Sequence, residues 1–243
     1  MNNLYSSLAE GAAEGRRRIA VLVDPDKHDT ASLERVINLS EESGIDYFLL
    51  GGSLLLHDRM AGSIERMRTL SHIPVILFPG NSLQVNPAAD AILLLSVISG
   101  RNPDLLIGRH VIAAPMLKNS NLEIIPTGYM LIDGGRPTAV TYMSNTIPIP
   151  SHKDDIAVCT AMAGEMLGLK MIYLEAGSGA DRPVTPSMIS RVKKAVGIPL
   201  TVGGGITNPE RAKEAFDAGA DLIVVGNAIE SDPGLIPMLA KTR

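Results

Sequence analysis

The sequence is poor in cysteine and in aromatic residues. The 243-residue chain has one cysteine, Cys159, no tryptophan, three phenylalanines and five tyrosines. A single cysteine excludes a disulfide framework and an all-cysteine metal site. The scarcity of aromatic side chains argues against single-stranded nucleic-acid binding, which depends on base stacking. A formal net charge of −4 argues against general nucleic-acid binding.

Long apolar runs are also absent. The longest, around Ala91–Ile98, contains Ser96 and is far shorter than the ~20 residues needed to span a bilayer. The first 14 residues include Glu10 and Glu14, which fits neither a signal nor a transit peptide and predicts an amphipathic helix before the first strand. We therefore expect a cytoplasmic protein with a single domain over residues 1–243, long enough to bury its own core.

Eight short apolar runs bounded by turn residues are typical of parallel strands buried on both faces. Two form an internal repeat, residues 44–51 and 219–226, in which Gly, Asp and Gly recur at the same offsets. The other six are Ile19–Val23, Pro74–Phe78, Ala91–Leu95, Tyr129–Ile132, Met171–Leu174 and Pro199–Val202. Helical patterns lie at Ala31–Ser43, Leu54–Leu70, Leu105–Leu117, Asp154–Leu167, Ser187–Ala195 and Glu210–Ala218. This alternation predicts an α/β fold, a closed (βα)8 or TIM barrel.

The spacing of the strand ends is uneven. Only 17 residues separate Pro79 from Ser96, so we predict that the third outer helix is missing or replaced by a loop. The intervals after strands four and five are 37 and 42 residues and predict added loop structure, including Arg136–Pro150. An open doubly wound sheet is the alternative, but its glycine-rich turn follows strand one. Here such turns follow strands six, seven and eight, which favours the barrel.

The carboxyl ends of the strands are where a barrel of this kind builds its active site. Glycine-rich segments Ala176–Gly179, Gly203–Gly205 and Gly226-Asn227 follow strands six, seven and eight. Glycine lets backbone N–H groups approach an anion, and a helix N-terminus adds positive partial charge. These three loops predict a phosphate site. The alternative is that the glycines only make tight turns.

Two oxygen-bearing side chains, Asp24 and Ser53, end strands one and two across the predicted mouth. One carboxylate and one hydroxyl would suit Mg²⁺, which takes further ligands from phosphate and water. The alternative for Asp24 is a loop-capping carboxylate beside Pro25. Lys27 follows the first strand end, and we interpret it as a residue that steers phosphate groups.

Glu175 ends strand six beside the predicted anion site. A carboxylate in that position suggests that Glu175 accepts a proton from a substrate hydroxyl. The alternative is that Glu175 only accepts hydrogen bonds from loop amides. Tyr173, two residues earlier, points the same way into the barrel and either contributes its hydroxyl or packs.

Other polar residues carry less signal. The five histidines show no metal-ligand spacing. Cys159 lies in a helical pattern and is predicted to be core, and Arg16–Arg18 to form a solvated basic face below the barrel. The eleven methionines, Met116, Met130, Met143, Met162 and Met166 among them, are predicted to fill the core, with a lipid groove as the alternative.

At these residues the sequence resembles the geranylgeranylglyceryl phosphate synthase family. The resemblance covers nearly the whole chain. Its motifs are Asp24-Pro25-Asp26-Lys27, Gly51-Gly52-Ser53, Phe78-Pro79-Gly80-Asn81, Ser144-Asn145-Thr146-Ile147-Pro148, Tyr173–Gly179, Gly203–Gly205 and Gly226-Asn227. It implies a modified barrel without its third helix and a Mg²⁺-dependent prenyl transfer. In that reaction the 3-hydroxyl of sn-glycerol 1-phosphate attacks C1 of geranylgeranyl diphosphate, forming an ether and releasing diphosphate.

The resemblance also implies roles for individual residues. Asp24 and Ser53 would hold Mg²⁺, Glu175 would deprotonate or orient the hydroxyl, and Tyr173 would assist it. The expected substrate-binding residues are Lys27, Tyr173, Leu174, Glu175, Ala176, Gly177, Ser178, Gly179, Gly204, Gly205, Gly226 and Asn227. A dry apolar groove would hold the prenyl chain.

Several alternatives stay open from the sequence. A relative that uses a longer, heptaprenyl chain fits the same motifs. A phosphate-sugar isomerase or aldolase would need a strand lysine or an acid/base pair such as Asp24 with Asp133, and a non-catalytic phosphate binder would need neither. The family implies a homo-oligomer, either dimer or hexamer, and peripheral membrane contact is left open. No partnership with nucleic acid is expected.

Overall fold

Eight parallel strands close into a barrel in the computed structural model, which describes residues 3–81 and 84–243. The strands pair in chain order, and β8 pairs with β1 to complete the ring. They are β1 Arg18–Val23, β2 Tyr47–Leu50, β3 Val75–Leu77, β4 Ala91–Val97, β5 Glu123–Leu131, β6 Met171–Glu175, β7 Leu200–Gly203 and β8 Leu222–Val225. The predicted TIM barrel is confirmed.

Helices surround this barrel and also precede it. They are α1 Leu4–Ala13, α2 Thr30–Glu42, α3 Met60–Leu70, α4 Arg109–Lys118, α5 Ala139–Ser144, α6 Asp154–Met166, α7 Pro186–Ala195, α8 Pro209–Asp217, α9 Asn227–Ser231 and α10 Leu235–Ala240. A π-helical turn, Asp104–Gly108, precedes α4. The N-terminal helix α1 is present as predicted, although Met1 and Asn2 of the predicted range lie outside the described residues.

Local sequence explains where several helices begin. Asp29, Thr185 and Asn208 each accept a hydrogen bond from the backbone N–H three residues ahead, which satisfies a donor that the helix leaves unpaired. Pro186 and Pro209 then occupy the first turn, where the missing N–H costs nothing. The helical pattern at Glu210–Ala218 corresponds to α8, which begins one residue earlier, at Pro209.

The third unit lacks an outer helix. No α-helix lies between β3 and β4 in the residues described there, 78–81 and 84–90. The added structure predicted after the fifth strand is also present, because Arg136–Pro150 contains α5 and a bridge between Ile132 and Ile149.

Two predicted boundaries were wrong. β5 begins at Glu123, six residues before Tyr129, because its first half pairs with β4 from Ala91 onward. α3 begins at Met60 rather than Leu54, since the preceding residues form a loop whose Leu56 N–H is bound by Asp26.

Side chains alternate between two apolar layers along each strand. One layer fills the barrel and includes Ala20, Tyr47, Leu49, Ile76, Leu93, Tyr129, Tyr173, Leu222 and Val224. The other packs against the helices and includes Val21, Val23, Phe48, Leu50, Leu77, Met130, Leu174, Val202 and Val225.

Three aspartates tie neighbouring strands together at the amino end of the barrel. Asp46, Asp90 and Asp221 accept hydrogen bonds at 2.9, 2.8 and 2.7 Å from the backbone N–H groups of Ile19, Val75 and Leu200. Asp46 and Asp221 are the aspartates of the internal repeat. The repeat therefore encodes a strand-to-strand clamp.

Three predictions about individual side chains need correction. Arg18 is buried, not solvated, because it bonds Tyr47 of the next strand and the Ser7 carbonyl of α1. Cys159 is exposed on α6 and is not core. Met116, Met143 and Met166 are exposed as well, whereas Met130 is buried in the core as predicted. Among the described residues, no helix has both the length and the apolar character required to cross a membrane.

Asp221→Ala tests the clamp. Asp221 is buried, binds the Leu200 N–H and pairs with Lys193 at 2.6 Å. We expect its removal to lower the free energy of unfolding by about 2–4 kcal/mol, since it leaves a donor and a cation unpaired. Urea unfolding measures this. Asp58→Ala, at an exposed loop position, is the control and should change little; equal losses would refute the clamp.

Candidate active site

A cavity of about 280 Å³ opens at the carboxyl ends of the strands, and we call it the polar cavity. Its lining includes eleven of the residues predicted for the site, namely Asp24, Lys27, Ser53, Tyr173, Glu175, Ser178, Gly179, Gly204, Gly205, Gly226 and Asn227. Leu174 and Ala176 instead pack into the outer apolar layer, and Gly177 acts through its backbone N–H. The strand ends therefore bring most of these residues together, while their individual roles stay predictions.

Glu175 is the buried carboxylate of this cavity, with 5% of its surface exposed. Its Oε1 accepts a hydrogen bond of 2.6 Å from the Gly177 N–H, so the loop-amide role is present. Burial raises the pKa of Glu175 to about 7, although the Gly177 amide and the Tyr173 hydroxyl act to lower it. A carboxyl group with that pKa can exchange a proton near neutral pH, as a general base must.

Two glycines at the end of β7 make room for this carboxylate. A Cβ on Gly203 would lie 2.4 Å from the Tyr173 hydroxyl and 2.9 Å from Glu175 Oε2. A Cβ on Gly204 would lie 2.4 Å from Glu175 Oε1. These two glycines are thus required by the neighbouring side chains, in addition to any contact with an anion.

Three aromatic rings form the wall below Glu175. Tyr173 lies 5.5 Å from Phe78 and 5.2 Å from Tyr129, and Phe78 lies 5.9 Å from Tyr129, measured between ring centroids. Burial raises the pKa of Tyr173 well above its usual range, and the nearby charge of Glu175 raises it further. The Tyr173 hydroxyl is therefore neutral and has no well-formed hydrogen bond among the described residues.

The glycine-rich loops have the backbone that their sequences suggest. Gly177, Gly179, Gly204 and Gly205 all have positive φ, between 71° and 97°. Two arginines brace these loops through the loop carbonyls, and no local sequence pattern indicates this contact. Arg136 donates to the Gly179 carbonyl, and Arg211 donates to the Gly205 carbonyl at 2.7 Å.

Asp24 and Lys27 are already engaged with neighbours. Asp24 Oδ1 accepts a hydrogen bond of 3.0 Å from the Asp26 N–H, which is the loop-capping alternative. Burial raises the pKa of Asp24. Lys27 donates to Glu230 Oε2 at 2.9 Å, so the acidic Glu230, which sequence reasoning missed, offsets most of its charge.

A second, apolar cavity of about 140 Å³ adjoins the first. Its lining includes Leu94 and Leu95 of β4 and Ala113 and Leu117 of α4. It shares Ser53, Phe78, Tyr129 and Val140 with the polar cavity. The apolar cavity lies beside β3 and β4, where the outer helix is missing.

The strand lysine and the Asp24–Asp133 pair considered for the isomerase or aldolase alternative are not found. None of the eight strands, all within the described residues, carries a lysine. Asp133 Oδ1 accepts from the Gly135 N–H at 2.9 Å, and Asp133 does not line the polar cavity with Asp24. Within the described residues, no three His, Cys, Asp or Glu side chains cluster as a metal site.

Comparison with known proteins decides the family. The sequence pattern of the PcrB family matches residues 14–242. The chain belongs to the PcrB family. It is 54% identical over 239 residues to the geranylgeranylglyceryl phosphate synthase of Chitinophaga pinensis, covering 98% of this chain and 95% of that one. It is 56% identical over 226 residues to the synthase of Spirosoma linguale, covering 93% and 91%.

A solved structure gives the same result for this PcrB-family chain. It superposes with a TM-score of 0.93 and 30% identity on (S)-3-O-geranylgeranylglyceryl phosphate synthase from Thermoplasma acidophilum. That crystal structure is a complex with the substrate sn-glycerol-1-phosphate, and the match covers 100% of this chain and 98% of that one. The family resemblance inferred from the sequence motifs is confirmed.

Glu175→Gln tests whether burial raises the pKa of this carboxyl group in the protein without substrate. Because its pKa is raised from 4.5 to about 7, the folded protein binds more protons than the unfolded chain between these values. The free energy of unfolding therefore falls as pH rises through that window and stays lower above it. We expect Glu175→Gln to be more stable than the parent at pH 8, by up to about 3 kcal/mol, and little changed at pH 4.

Urea unfolding at both pH values measures the effect. A stability difference between variant and parent that does not depend on pH would contradict the raised pKa.

Proposed function

We propose that this chain is a geranylgeranylglyceryl phosphate synthase, which joins sn-glycerol 1-phosphate to geranylgeranyl diphosphate through an ether bond. One observation carries the proposal. The polar cavity that contains buried Glu175 adjoins an apolar cavity, and Phe78 and Tyr129 line both. A reaction between a small phosphorylated alcohol and a long apolar chain needs both environments side by side. The names of the relatives support the same assignment.

Glycerol phosphate is the polar substrate in this proposal. The backbone N–H groups of the loops at Gly204, Gly205 and Gly226 hold its phosphate, since glycine allows close approach and the short helix α9 begins at Asn227. The 3-hydroxyl then lies toward Glu175. With a pKa near 7, this carboxylate accepts the hydroxyl proton more readily than an ordinary glutamate would.

The proposed reaction is a substitution at C1 of the prenyl diphosphate. The 3-oxygen bonds to C1 of the prenyl chain as its proton passes to Glu175. The C1–oxygen bond to diphosphate breaks, and its electron pair leaves with diphosphate. Positive charge that develops on the allylic carbons is stabilised by the rings of Phe78, Tyr129 and Tyr173. The apolar cavity excludes water that would capture it.

Mg²⁺ fits the oxygen ligands at the cavity mouth. Asp24 Oδ2 faces the loop after β2, where a Cβ on Gly52 would lie 3.2 Å from it, and Ser53 follows in that loop. A carboxylate and a hydroxyl are hard oxygen donors of the kind that Mg²⁺ takes alongside phosphate and water. When bound, Mg²⁺ would neutralise charge on the diphosphate. Asp24 and Ser53 are thus the residues proposed to hold it.

Other properties remain proposals. The apolar cavity favours a prenyl chain, and geranylgeranyl is chosen over heptaprenyl on the names of the relatives. A cytoplasmic location is proposed from the composition, and a dimer or hexamer from the family resemblance. Peripheral membrane contact stays an open alternative.

Incubation with Mg²⁺, labelled glycerol 1-phosphate and polyprenyl diphosphates of several lengths tests the activity. We expect label to pass into organic solvent, most rapidly with the 20-carbon chain. No extractable label with any chain would overturn the proposal, and faster transfer with the 35-carbon chain would favour the heptaprenyl enzyme.

Glu175→Gln and Asp24→Asn test the two sides of the site in the same assay. Glu175→Gln should lower kcat about 100-fold or more while the Kd for glycerol phosphate stays within a few-fold, because it removes only the base. In the parent, kcat/KM should rise with pH around 7, and this rise should be absent from the residual Glu175→Gln activity.

Asp24→Asn should instead raise the Mg²⁺ concentration needed for half-maximal rate. An unchanged kcat in the first variant, or an unchanged Mg²⁺ requirement in the second, would remove that residue from its role.

A further inference from the structure

Arg109 is an unusual member of the apolar cavity's lining. Among the described residues that line this cavity, no other carries a full charge at neutral pH. Arg109 is the first residue of α4 and directly follows the π-helical turn Asp104–Gly108. Single π-helical turns are often found at functional sites. Arg109 is partly exposed, and its charge makes this side of the lining attractive to an anionic ligand.

The hydrogen bonding of Arg109 leaves most of its donors free. Its Nη1 donates to the Gly80 carbonyl over a long 3.3 Å. Within the described part of the chain this is its one hydrogen bond, and no carboxylate pairs with it. A guanidinium group has five N–H donors in a fixed fork. Arg109 therefore keeps donors available for a ligand.

Gly80 ties Arg109 to the loop that carries Ser53. A Cβ on Gly80 would lie 2.3 Å from the Gly52 carbonyl oxygen and 2.9 Å from Ser53 Cα, so the two loops are in close contact. Buried Gln84 joins them further, because its Oε1 accepts from the Gly80 N–H at 3.1 Å and its Nε2 donates to the Gly52 carbonyl at 2.8 Å. The Arg109 guanidinium is thus held beside the junction of the two cavities.

The other cation at the mouth is less available. Lys27 pairs with Glu230 at 2.9 Å and lies 3.9 Å from Asp24, so two carboxylates compete with a ligand for its ammonium group. Arg109 has no such carboxylate partner. The prenyl substrate places several negative charges at one end of an apolar chain. The end of the apolar cavity that reaches Ser53 is where those charges must lie.

We propose that the Arg109 guanidinium binds the diphosphate of the prenyl substrate and stabilises the diphosphate as it leaves. Arginine forks match phosphate oxygens in a bidentate geometry that lysine does not reproduce. The inference rests on the proposed function. It adds to that function a residue on the opposite side of Ser53 from Asp24 and Lys27.

Arg109→Gln and Arg109→Lys test the proposal, with Mg²⁺ and inorganic diphosphate as the probe. For Arg109→Gln we expect the KM for geranylgeranyl diphosphate and the inhibition constant of inorganic diphosphate to rise about 10- to 100-fold, the range for charged hydrogen bonds. Arg109→Lys should recover part of the loss. The Kd for sn-glycerol 1-phosphate should stay within a few-fold in both variants.

Arg101→Gln is the matched control. Arg101 lies eight positions earlier, bonds the Gly100 carbonyl at 2.7 Å and lines neither cavity, so this variant should behave as the parent. Unchanged diphosphate inhibition and KM in Arg109→Gln would overturn the proposal. Loss of glycerol-phosphate binding in both Arg109 variants would also overturn it, by showing a structural role. Failure of the proposed function would instead appear in the parent protein, as diphosphate binding without any prenyl product.

Discussion

Burial of the Glu175 carboxylate is the constraint on which the rest of the site depends. A carboxylate out of water is unstable unless hydrogen bonds or a raised pKa compensate for the lost hydration. Both occur here, through the Gly177 amide and a pKa of about 7. The neighbouring strand must then present no side chain at Gly203 and Gly204, since either Cβ would collide with Glu175 or Tyr173. The glycines after β7 thus serve the carboxylate as well as the predicted anion.

A second constraint comes from the outside of the barrel. No α-helix lies among the described residues between β3 and β4, and residues of β4 and of α4, the helix that follows β4, line an apolar cavity. The aromatic residues Phe78 and Tyr129 separate this cavity from the polar one while lining both. An ionisable group and a dry apolar space are thereby brought together at the end of one barrel.

Much of this could be predicted from the sequence, because it depends on local patterns. Buried parallel strands are short apolar runs, so all eight were found, and the 17-residue interval from Pro79 to Ser96 predicted the missing helix. The start of β5 was not found, since Pro126, Thr127 and Gly128 interrupt its apolar run.

Contacts between distant residues could not be predicted in the same way. Lys27 and Glu230 are far apart in the chain, and so are Arg18 and its buried partner Tyr47. The apolar cavity is formed by packing of β4 against α4, which no single segment encodes.

A crystal structure with glycerol 1-phosphate and a non-reactive geranylgeranyl diphosphate analogue tests whether the two adjoining cavities hold the two substrates. We expect the glycerol 3-hydroxyl within hydrogen-bond distance of Glu175, the phosphate at Gly204 and Gly226, and the prenyl chain between β4 and α4. A prenyl chain bound elsewhere, or a glycerol phosphate reversed so that its phosphate faces Glu175, would contradict this expectation.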